Sequence, residues 1–245
     1  MAKTLAGATV VDTPAALAEE AADLFVRTAA DAITGRGRFM VALAGGATPR
    51  GLYARLAAEP FRARMDWHRT WVFFGDERCV PPTDPESNYR MARETLLAHV
   101  PVPPGQIFRI DGEAADAARA AEEYERRLRA AFEPGLVRFD LILLGMGLDG
   151  HVASLFPGSP ALDEKDRLVI AVETRAAVVA KRITLTPPVL NAARRVLFLI
   201  AGAEKARSVA DVLRNPASSL PGARVRPTEG VVTWLLDRAA AEGLR

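Results

Sequence analysis

The stretch FMVALAGGATPRGLY, residues 39–53, joins an uninterrupted apolar run to two glycines and then to a segment with helical spacing. Continuous apolarity over a short run predicts a strand that is covered on both faces, as in a parallel sheet. Gly45 and Gly46 allow a tight turn and a close approach of the backbone to a ligand, and Pro49 suits the first turn of a helix. A strand, a glycine turn and a helix in this order are typical of α/β proteins.

The same alternation recurs along the chain. Further apolar runs that favour strands lie at residues 70–74, 139–144, 168–172 and 196–200. Segments with helical spacing lie at residues 14–33, 49–58, 87–97, 114–132 and 204–213, and Thr13 is the expected cap of the first, with Pro14 at its first position. We therefore predict an α/β fold, a single Rossmann-like domain over residues 1–245 with a mostly parallel sheet and helices on both faces. Such sheets bind ligands at the carboxyl ends of their strands, so the loops after the apolar runs are the places to look for a site.

Composition excludes several classes of protein. The chain has 245 residues, of which 49% are hydrophobic and 25% charged, and its formal net charge is only +2. The lone Cys79 cannot form an internal disulfide, and no stretch approaches the roughly 18 apolar residues of a membrane span. We predict a cytoplasmic protein that binds neither nucleic acid nor a membrane and for which no obligate protein partner is implied.

The first polar loop, AGGATPR at residues 44–50, has the features of a phosphate cradle. Thr48 offers a hydroxyl as a helix cap, and the helix N-terminus supplies free N–H groups with a partial positive charge. A tight turn that needs glycine for geometry alone is an equal alternative. The loop is not a Walker sequence, because no Gly-Lys-Ser/Thr follows it.

The second polar loop, GDERCVPP at residues 75–82, places charges directly after the apolar run at 70–74. Charged groups at the end of a buried strand are costly unless they are paired or used. Asp76 and Arg78 are therefore candidate ligand-binding residues. The alternative is a local Asp–Arg pair, with Ser87 as the cap of the following helix.

The third polar loop, GMGLDGH at residues 145–151, matches the GxGxxG pattern of dinucleotide-binding proteins. That pattern must open a long helix, whereas here Pro157 ends any helix within two turns, so a dehydrogenase is disfavoured. The loop still carries Asp149 and His151. An imidazole accepts a proton near neutral pH, and a nearby carboxylate can fix its tautomer. No metal-binding motif accompanies them.

Two cationic positions complete the predicted site. Arg182 precedes the segment ITLT, and Lys205 ends the segment GAEK at residues 202–205, where a helix is expected to begin. A lysine beside a helix N-terminus suits a phosphate dianion. A solvated lysine in the first helical turn fits the local sequence equally well.

Four ordered segments carry a resemblance to a known family. They are LAGGATPRGLY (43–53), FFGDERCVPPTDPESNYRMARETLL (73–97), DLILLGMGLDGHVASLFPG (140–158) and KRITLTPPVLNAARRVLFLIAGAEKA (181–206). Together they resemble the 6-phosphogluconolactonases, within the larger group that includes glucosamine-6-phosphate deaminases. The whole length fits one domain of the phosphosugar isomerase/lactonase type.

The resemblance implies hydrolysis of 6-phosphoglucono-1,5-lactone to 6-phosphogluconate in the oxidative pentose phosphate pathway, without a metal or any other cofactor. It implies that His151 is the general base that activates water and that Asp149 orients or supports it. It also implies that the phosphosugar lactone is bound by Gly45, Gly46, Thr48, Asp76, Arg78, Arg182 and Lys205. The division of the three cations between phosphate and lactone oxygen stays open.

Two other functions remain as alternatives. The deaminase relatives carry a similar Asp-Gly-His but continue toward a carboxylate that assists ring opening, whereas residues 151–157 here read HVASLFP. The absence of Asp and Glu from that segment favours a lactonase over a deaminase or isomerase. A non-catalytic phosphosugar sensor would keep the cradle and discard the chemistry, but Asp149 and His151 are both present.

Overall fold

The computed structural model describes residues 3–175 and 178–244. Within these ranges the strands are β1 (Lys3–Leu5), β2 (Ala8–Val11), β3 (Phe39–Leu43), β4 (Thr70–Phe74), β5 (Asp76–Arg78), β6 (Leu141–Leu144), β7 (Val169–Glu173), β8 (Lys181–Leu185), β9 (Arg195–Ile200) and β10 (Val231–Asp237). The α-helices are α1 (Pro14–Arg36), α2 (Ala47–Leu56), α3 (Phe61–Arg64), α4 (Asn88–Ala92), α5 (Ala117–Phe132), α6 (Pro187–Ala192) and α7 (Ala206–Arg214). No helix in the described ranges has the length and apolarity to cross a membrane.

Seven strands form the central sheet in the order β1-β2-β10-β9-β6-β3-β4. Its neighbours are parallel, apart from the antiparallel pair β1 and β2. Every residue of β3 and β6 is buried, so both faces of the sheet are covered at its centre. This arrangement confirms the predicted mostly parallel α/β sheet, because uninterrupted apolar runs suit strands without a solvent face.

The order of strands reverses between β3 and β6. From β3 the chain continues outward to β4, whereas from β6 it continues in the opposite direction to β9 and β10. The two central strands share a short register, with Val41 opposite Leu141 and Ala42 opposite Ile142. Such a reversal leaves a crevice at the carboxyl ends of the two strands, where α/β proteins bind their ligands.

A second, three-stranded sheet has the order β5-β8-β7 and is antiparallel. The prediction that residues 168–172 belong to the parallel sheet is wrong, because this run forms most of β7 in the small sheet. The chain from β7 to β8 is too short for the crossover that parallel neighbours need, so the two strands pair as a hairpin. The polar start of β8 gave no apolar signal, β5 lies within the segment 75–82 that was predicted as a loop, and β1, β2, β10, α3 and α6 were also not predicted.

Helix starts follow the capping rules in two of the three positions that the sequence indicated. Thr13 accepts a hydrogen bond from the Ala16 N–H at the start of α1, and Ser87 caps α4 in the same way. The prediction that Thr48 caps α2 is wrong. The cap of α2 is Gly46, whose φ of 100° is a conformation that favours glycine, so Thr48 lies inside the first turn.

Glu125 on α5 attaches the small sheet to the rest of the molecule. Its carboxylate accepts hydrogen bonds from the N–H groups of Leu168 (3.0 Å) and Val169 (3.2 Å), and it pairs with Arg129 and Arg167. Burial opposes ionisation of Glu125, but the hydrogen bonds from the two guanidinium groups and the two N–H groups together outweigh it and hold the pKa of the carboxyl below its ordinary value. This contact fixes the position of β7 and, through it, of β8.

We predict that Glu125→Gln lowers the free energy of unfolding near pH 7 by about 1–2 kcal/mol, since the charge-assisted hydrogen bonds are lost. Because the pKa of Glu125 is lowered in the folded state, this stabilisation is complete above the unfolded pKa of about 4.3 and disappears as the pH falls through the folded value. Urea unfolding as a function of pH measures the difference between the two proteins. A difference that stays constant into the acid range would contradict the ionic role of Glu125.

Candidate active site

A cavity of about 390 Å³ lies at the carboxyl ends of β3 and β6. All three polar loops and both cationic segments contribute to its wall. The residues of the predicted site that line it are Gly45, Gly46, Thr48, Asp76, Arg78, His151, Arg182 and Lys205. Asp149 reaches the site through its contact with His151. The structure therefore brings the predicted residues together around one crevice, while their roles remain predictions.

His151 and Asp149 form a close pair on the loop after β6. The imidazole Nδ1 lies 2.6 Å from Asp149 Oδ1, and the backbone N–H of His151 donates to the same oxygen over 3.2 Å. A carboxylate can only accept, so Nδ1 is the donor in this contact, which selects the tautomer of the neutral ring that has its lone pair on Nε2. Burial opposes ionisation of Asp149, but its hydrogen bonds to His151 outweigh burial and lower the pKa of the carboxyl.

The glycines of this loop make the pair possible. A Cβ on Gly147 would lie 2.1 Å from His151 Nδ1 and 2.6 Å from Asp149 Oδ1. The Gly147 N–H donates to the His151 carbonyl (2.9 Å), and Gly150 donates to the Gly147 carbonyl (3.1 Å), which closes the turn. The loop opens no long helix; a short 3-10 turn at Pro160–Asp163 follows it. The prediction that no long helix follows this loop is therefore confirmed.

Two guanidinium groups face the cavity from the small sheet. Arg78 on β5 stands directly opposite Arg182 on β8, and like charges in this register repel each other. Arg78 is partly balanced by Glu86 at 3.4 Å, while Asp76 lies 4.0 Å from Arg182. Burial, and then the charge of Arg78, lower the pKa of Arg182. An anion between the two guanidinium groups would relieve both effects, so their arrangement favours an anionic ligand.

Asp76 lines the cavity, but its carboxylate is already engaged. It accepts hydrogen bonds from Ser154 Oγ (2.7 Å) and Asn88 Nδ2 (3.2 Å), and its cationic neighbour is Arg182. A pair between Asp76 and Arg78, the local alternative raised by the sequence, is not formed. We conclude that Asp76 holds the wall of the site in place and balances the charge of Arg182.

Asn88 and Ser154 are polar residues beside Asp76 that were not predicted from the sequence. Asn88 is buried at the start of α4 and also lines the cavity. A Cβ on Gly45 would lie 1.9 Å from Asn88 Oδ1, so the glycine permits the side-chain amide of Asn88 to lie against its backbone. Ser154 is fully buried, and its hydroxyl donates to Asp76. Neither contact has a local signal, because each joins segments far apart in the chain.

Glu77, next to Asp76, has a structural role. Its buried carboxylate accepts hydrogen bonds from the N–H groups of Asn88 (2.7 Å) and Tyr89 (2.8 Å) and from Ser87 Oγ (3.0 Å). Burial raises the pKa of Glu77 against the effect of these hydrogen bonds. Glu77 thus completes the cap of α4 and fixes Asn88 beside the cavity.

The opposite wall carries one further pair of charges. Lys205 lies at the end of the 3-10 turn Ala203–Lys205 that precedes α7, as predicted from the sequence. Glu204 also lines the cavity and was not predicted. Because β9 and β3 flank β6, these two residues lie on one side of the His151 loop and the Gly45 turn lies on the other.

A switch-point cavity with a carboxylate-held imidazole, a glycine turn and three cations defines an α/β protein that binds anions and is equipped for proton transfer. The family of glucosamine-6-phosphate isomerases/6-phosphogluconolactonase matches residues 12–234, and the chain belongs to this family. This finding confirms the resemblance drawn from the four sequence segments.

Individual relatives agree with the family. A 6-phosphogluconolactonase of Rattus norvegicus is 40% identical over 235 residues, which cover 95% of this chain and 91% of the rat protein. That of Synechocystis sp. is 42% identical over 219 residues, 87% of this chain and 88% of the relative. A solved 6-phosphogluconolactonase from Trypanosoma cruzi superimposes with a TM-score of 0.87 at 32% identity, covering 96% of this chain and 95% of that one. The Trypanosoma brucei enzyme gives a TM-score of 0.86 at 35% identity, with coverages of 97% and 99%.

We predict that Gly147→Ala separates the imidazole from Asp149, because the new methyl group would occupy the space of both side chains. Gly145→Ala is the matched control, since a Cβ there meets nothing within 4 Å. Nitrogen NMR of the His151 ring reports the tautomer. The Nδ1-protonated form is expected in the parent chain and in Gly145→Ala and is expected to be lost in Gly147→Ala. The same spectrum in all three proteins would contradict the geometry of the pair.

Proposed function

We propose that the chain hydrolyses 6-phosphoglucono-1,5-lactone to 6-phosphogluconate, a step of the oxidative pentose phosphate pathway. One observation carries the proposal. His151 is held by Asp149 at 2.6 Å, and its ring lines the same cavity as the Gly45 turn and the cation pair Arg78 and Arg182. The base suits the lactone ring of the substrate. The Gly45 turn with Arg78 and Arg182, here called the anion cradle, suits its phosphate.

The phosphate end of the substrate belongs to the glycine turn in this proposal. The first N–H groups of α2 have no partners inside the helix and carry a partial positive charge. Thr48 lines the cavity at this helix start, and Arg182 and Lys205 supply full charges from the two flanking walls. We assign Arg78 to the same group of cations, where its positive charge offsets the desolvation cost of moving the phosphate dianion from water into a partly buried site.

At the lactone end, His151 Nε2 accepts a proton from water while the water oxygen bonds to the carbonyl carbon C1. The tetrahedral intermediate then collapses, the bond between C1 and the ring oxygen breaks, and the imidazolium returns its proton to the ring oxygen. Asp149 keeps the Nδ1 proton in place and stabilises the imidazolium. A positioned base contributes about 10²–10⁴-fold, and donors near the developing oxyanion contribute a further factor of about 10²–10³.

The surroundings of His151 favour hydrolysis over deamination. The imidazole packs against the ring of Phe156, with 4.5 Å between the ring centroids. A deaminating isomerase of the related group places a carboxylate in this segment to assist ring opening, and the apolar ring of Phe156 cannot take that part. A phosphosugar sensor needs only the groups that bind the anion. That function therefore does not explain the close pair of Asp149 and His151.

The proposal treats residues 1–245 as one domain, because β2 and β10, from opposite ends of the chain, are neighbours in the central sheet. It places the reaction in the cytoplasm and requires only the phosphosugar lactone as a partner. Neither a metal nor another cofactor is needed, since a lactone is already activated toward water and a positioned base with oxyanion donors is sufficient.

We predict that His151→Ala lowers kcat by about 10²–10⁴-fold, because the base that activates water is lost, and that the variant still binds the product 6-phosphogluconate. The measurement is a coupled lactonase assay corrected for spontaneous hydrolysis, with calorimetry for the product. Circular dichroism and thermal unfolding show whether the fold is retained. Near-full activity in a folded His151→Ala protein would overturn the proposed base.

Unphosphorylated gluconolactone serves as the matched substrate for the parent chain. It presents the same reacting ring without the dianion, so its KM is expected to be much higher than that of the phosphorylated lactone. Equal efficiency with both substrates would show that the cavity is no phosphate pocket. Release of ammonia from glucosamine 6-phosphate would instead identify a deaminase.

A further inference from the structure

Two fully buried tyrosines make the same pair of contacts at the ends of neighbouring strands. Tyr53 Oη accepts from the Ala44 N–H (3.0 Å) and donates to the Ala44 carbonyl (2.7 Å). Tyr124 Oη accepts from the Phe74 N–H (2.8 Å) and donates to the Phe74 carbonyl (3.0 Å). Each hydroxyl thus donates one hydrogen bond to a residue and accepts one from the same residue. A neighbouring strand would satisfy the same two backbone groups.

The position of Tyr53 relative to the sheet follows from the alternation of backbone groups along a strand. The Leu43 carbonyl accepts from the Gly75 N–H at 2.8 Å and therefore faces β4. The N–H and C=O of the next residue, Ala44, consequently face β6. Pairing between β3 and β6 has already ended at Ala42 and Ile142. The phenol of Tyr53 takes the place that β6 would occupy in a longer ladder.

The residue after Ala44 depends on this contact. Gly45 takes part in no backbone–backbone hydrogen bond with any residue in the ranges 3–175 and 178–244. The side chain of Asn88 packs against Gly45. Apart from that contact, the position of Gly45 depends on Ala44, the residue before it. Tyr53 belongs to α2, so its hydroxyl also connects that helix to the end of β3.

Tyr124 makes the same two hydrogen bonds with Phe74, but these have less effect on the cavity. Gly75, which follows Phe74, has two backbone hydrogen bonds of its own. Its N–H donates to the Leu43 carbonyl, and its carbonyl accepts from the Leu185 N–H, each over 2.8 Å. The Phe74 groups face the outer edge of the sheet, the side on which the Val72 carbonyl accepts from the Phe108 N–H. The loss of Tyr124 Oη would leave Gly75 anchored.

We propose that Tyr53 is a positioning residue for the anion cradle, its hydroxyl holding β3 apart from β6 and fixing Gly45 and Gly46 for the substrate phosphate. This inference rests on the proposed lactonase function and adds a residue that does not touch the substrate. Burial raises the pKa of the Tyr53 hydroxyl, so the group remains a donor throughout the working range of pH.

The test compares Tyr53→Phe with Tyr124→Phe, two variants that each remove one buried hydroxyl and its two backbone hydrogen bonds. Tyr53→Phe is expected to raise KM for the phosphorylated lactone, and Kd for 6-phosphogluconate, about tenfold, with kcat within about threefold. Tyr124→Phe is expected to change both constants less than about twofold. Both variants are expected to lose similar thermal stability, because the same number of backbone groups is left unpaired.

The outcomes separate this inference from the proposed function. A parent chain without lactonase activity would refute the function. An active parent chain whose KM is unchanged in both variants would refute the role of Tyr53 alone. Equal rises in KM would likewise refute it, since the effect would then follow stability and not position. A loss of kcat without a rise in KM would also count against it.

Hydrogen exchange on the unaltered chain needs no variant. We expect the Ala44 amide to exchange as slowly as the Phe74 amide, although Ala44 lies past the last residue of β3. Exchange of Ala44 at the rate of an unpaired loop amide would overturn the proposal, because its N–H would then lack the Tyr53 contact.

Discussion

The separation of β3 from β6 beyond Ala42 and Ile142 is the constraint on which the site depends. Two parallel strands that stayed paired to their ends would leave no space between the loops that follow them. Backbone groups freed by the separation need new partners, since buried N–H and C=O groups without them are costly. Tyr53 supplies both partners for Ala44. The crevice is therefore an opening in the sheet at which the freed N–H and C=O of Ala44 have a partner.

The two carboxylates of the second polar loop, Asp76 and Glu77, are engaged by hydrogen bonds, whereas the guanidinium groups of Arg78 and Arg182 face each other across the small sheet. Asp76 accepts from Ser154 and Asn88, and Glu77 caps α4. Arg78 and Arg182 face each other with incomplete compensation. Two facing guanidinium groups favour an anion between them, and Asp76 and Glu86 each lie beside one of the two. The neighbouring Asp149 serves a separate purpose, since its contact is with the imidazole.

Much of the fold could be predicted because its signals are local. The apolar runs at 39–43 and 139–144 indicated buried strands, and Thr13 and Ser87 indicated helix starts. The three polar loops could be expected to meet because carboxyl ends of parallel strands share one edge. Contacts between distant segments left no such signal, as the bond between Ser154 and Asp76 illustrates. The prediction that residues 168–172 belong to the parallel sheet was wrong for the same reason, since an apolar run does not specify the strand with which it pairs.

The most direct measurement is a crystal structure of the chain with 6-phosphogluconate bound. We predict that the phosphate lies against the turn of Gly45 and Gly46 with Arg182 and Lys205 beside it. The C1 carboxylate, formed at the reacting carbon, is expected within about 3.2 Å of His151 Nε2 or one water away. A ligand whose phosphate avoids the turn, or whose C1 end points away from the imidazole, would contradict the union of base and anion cradle in one crevice.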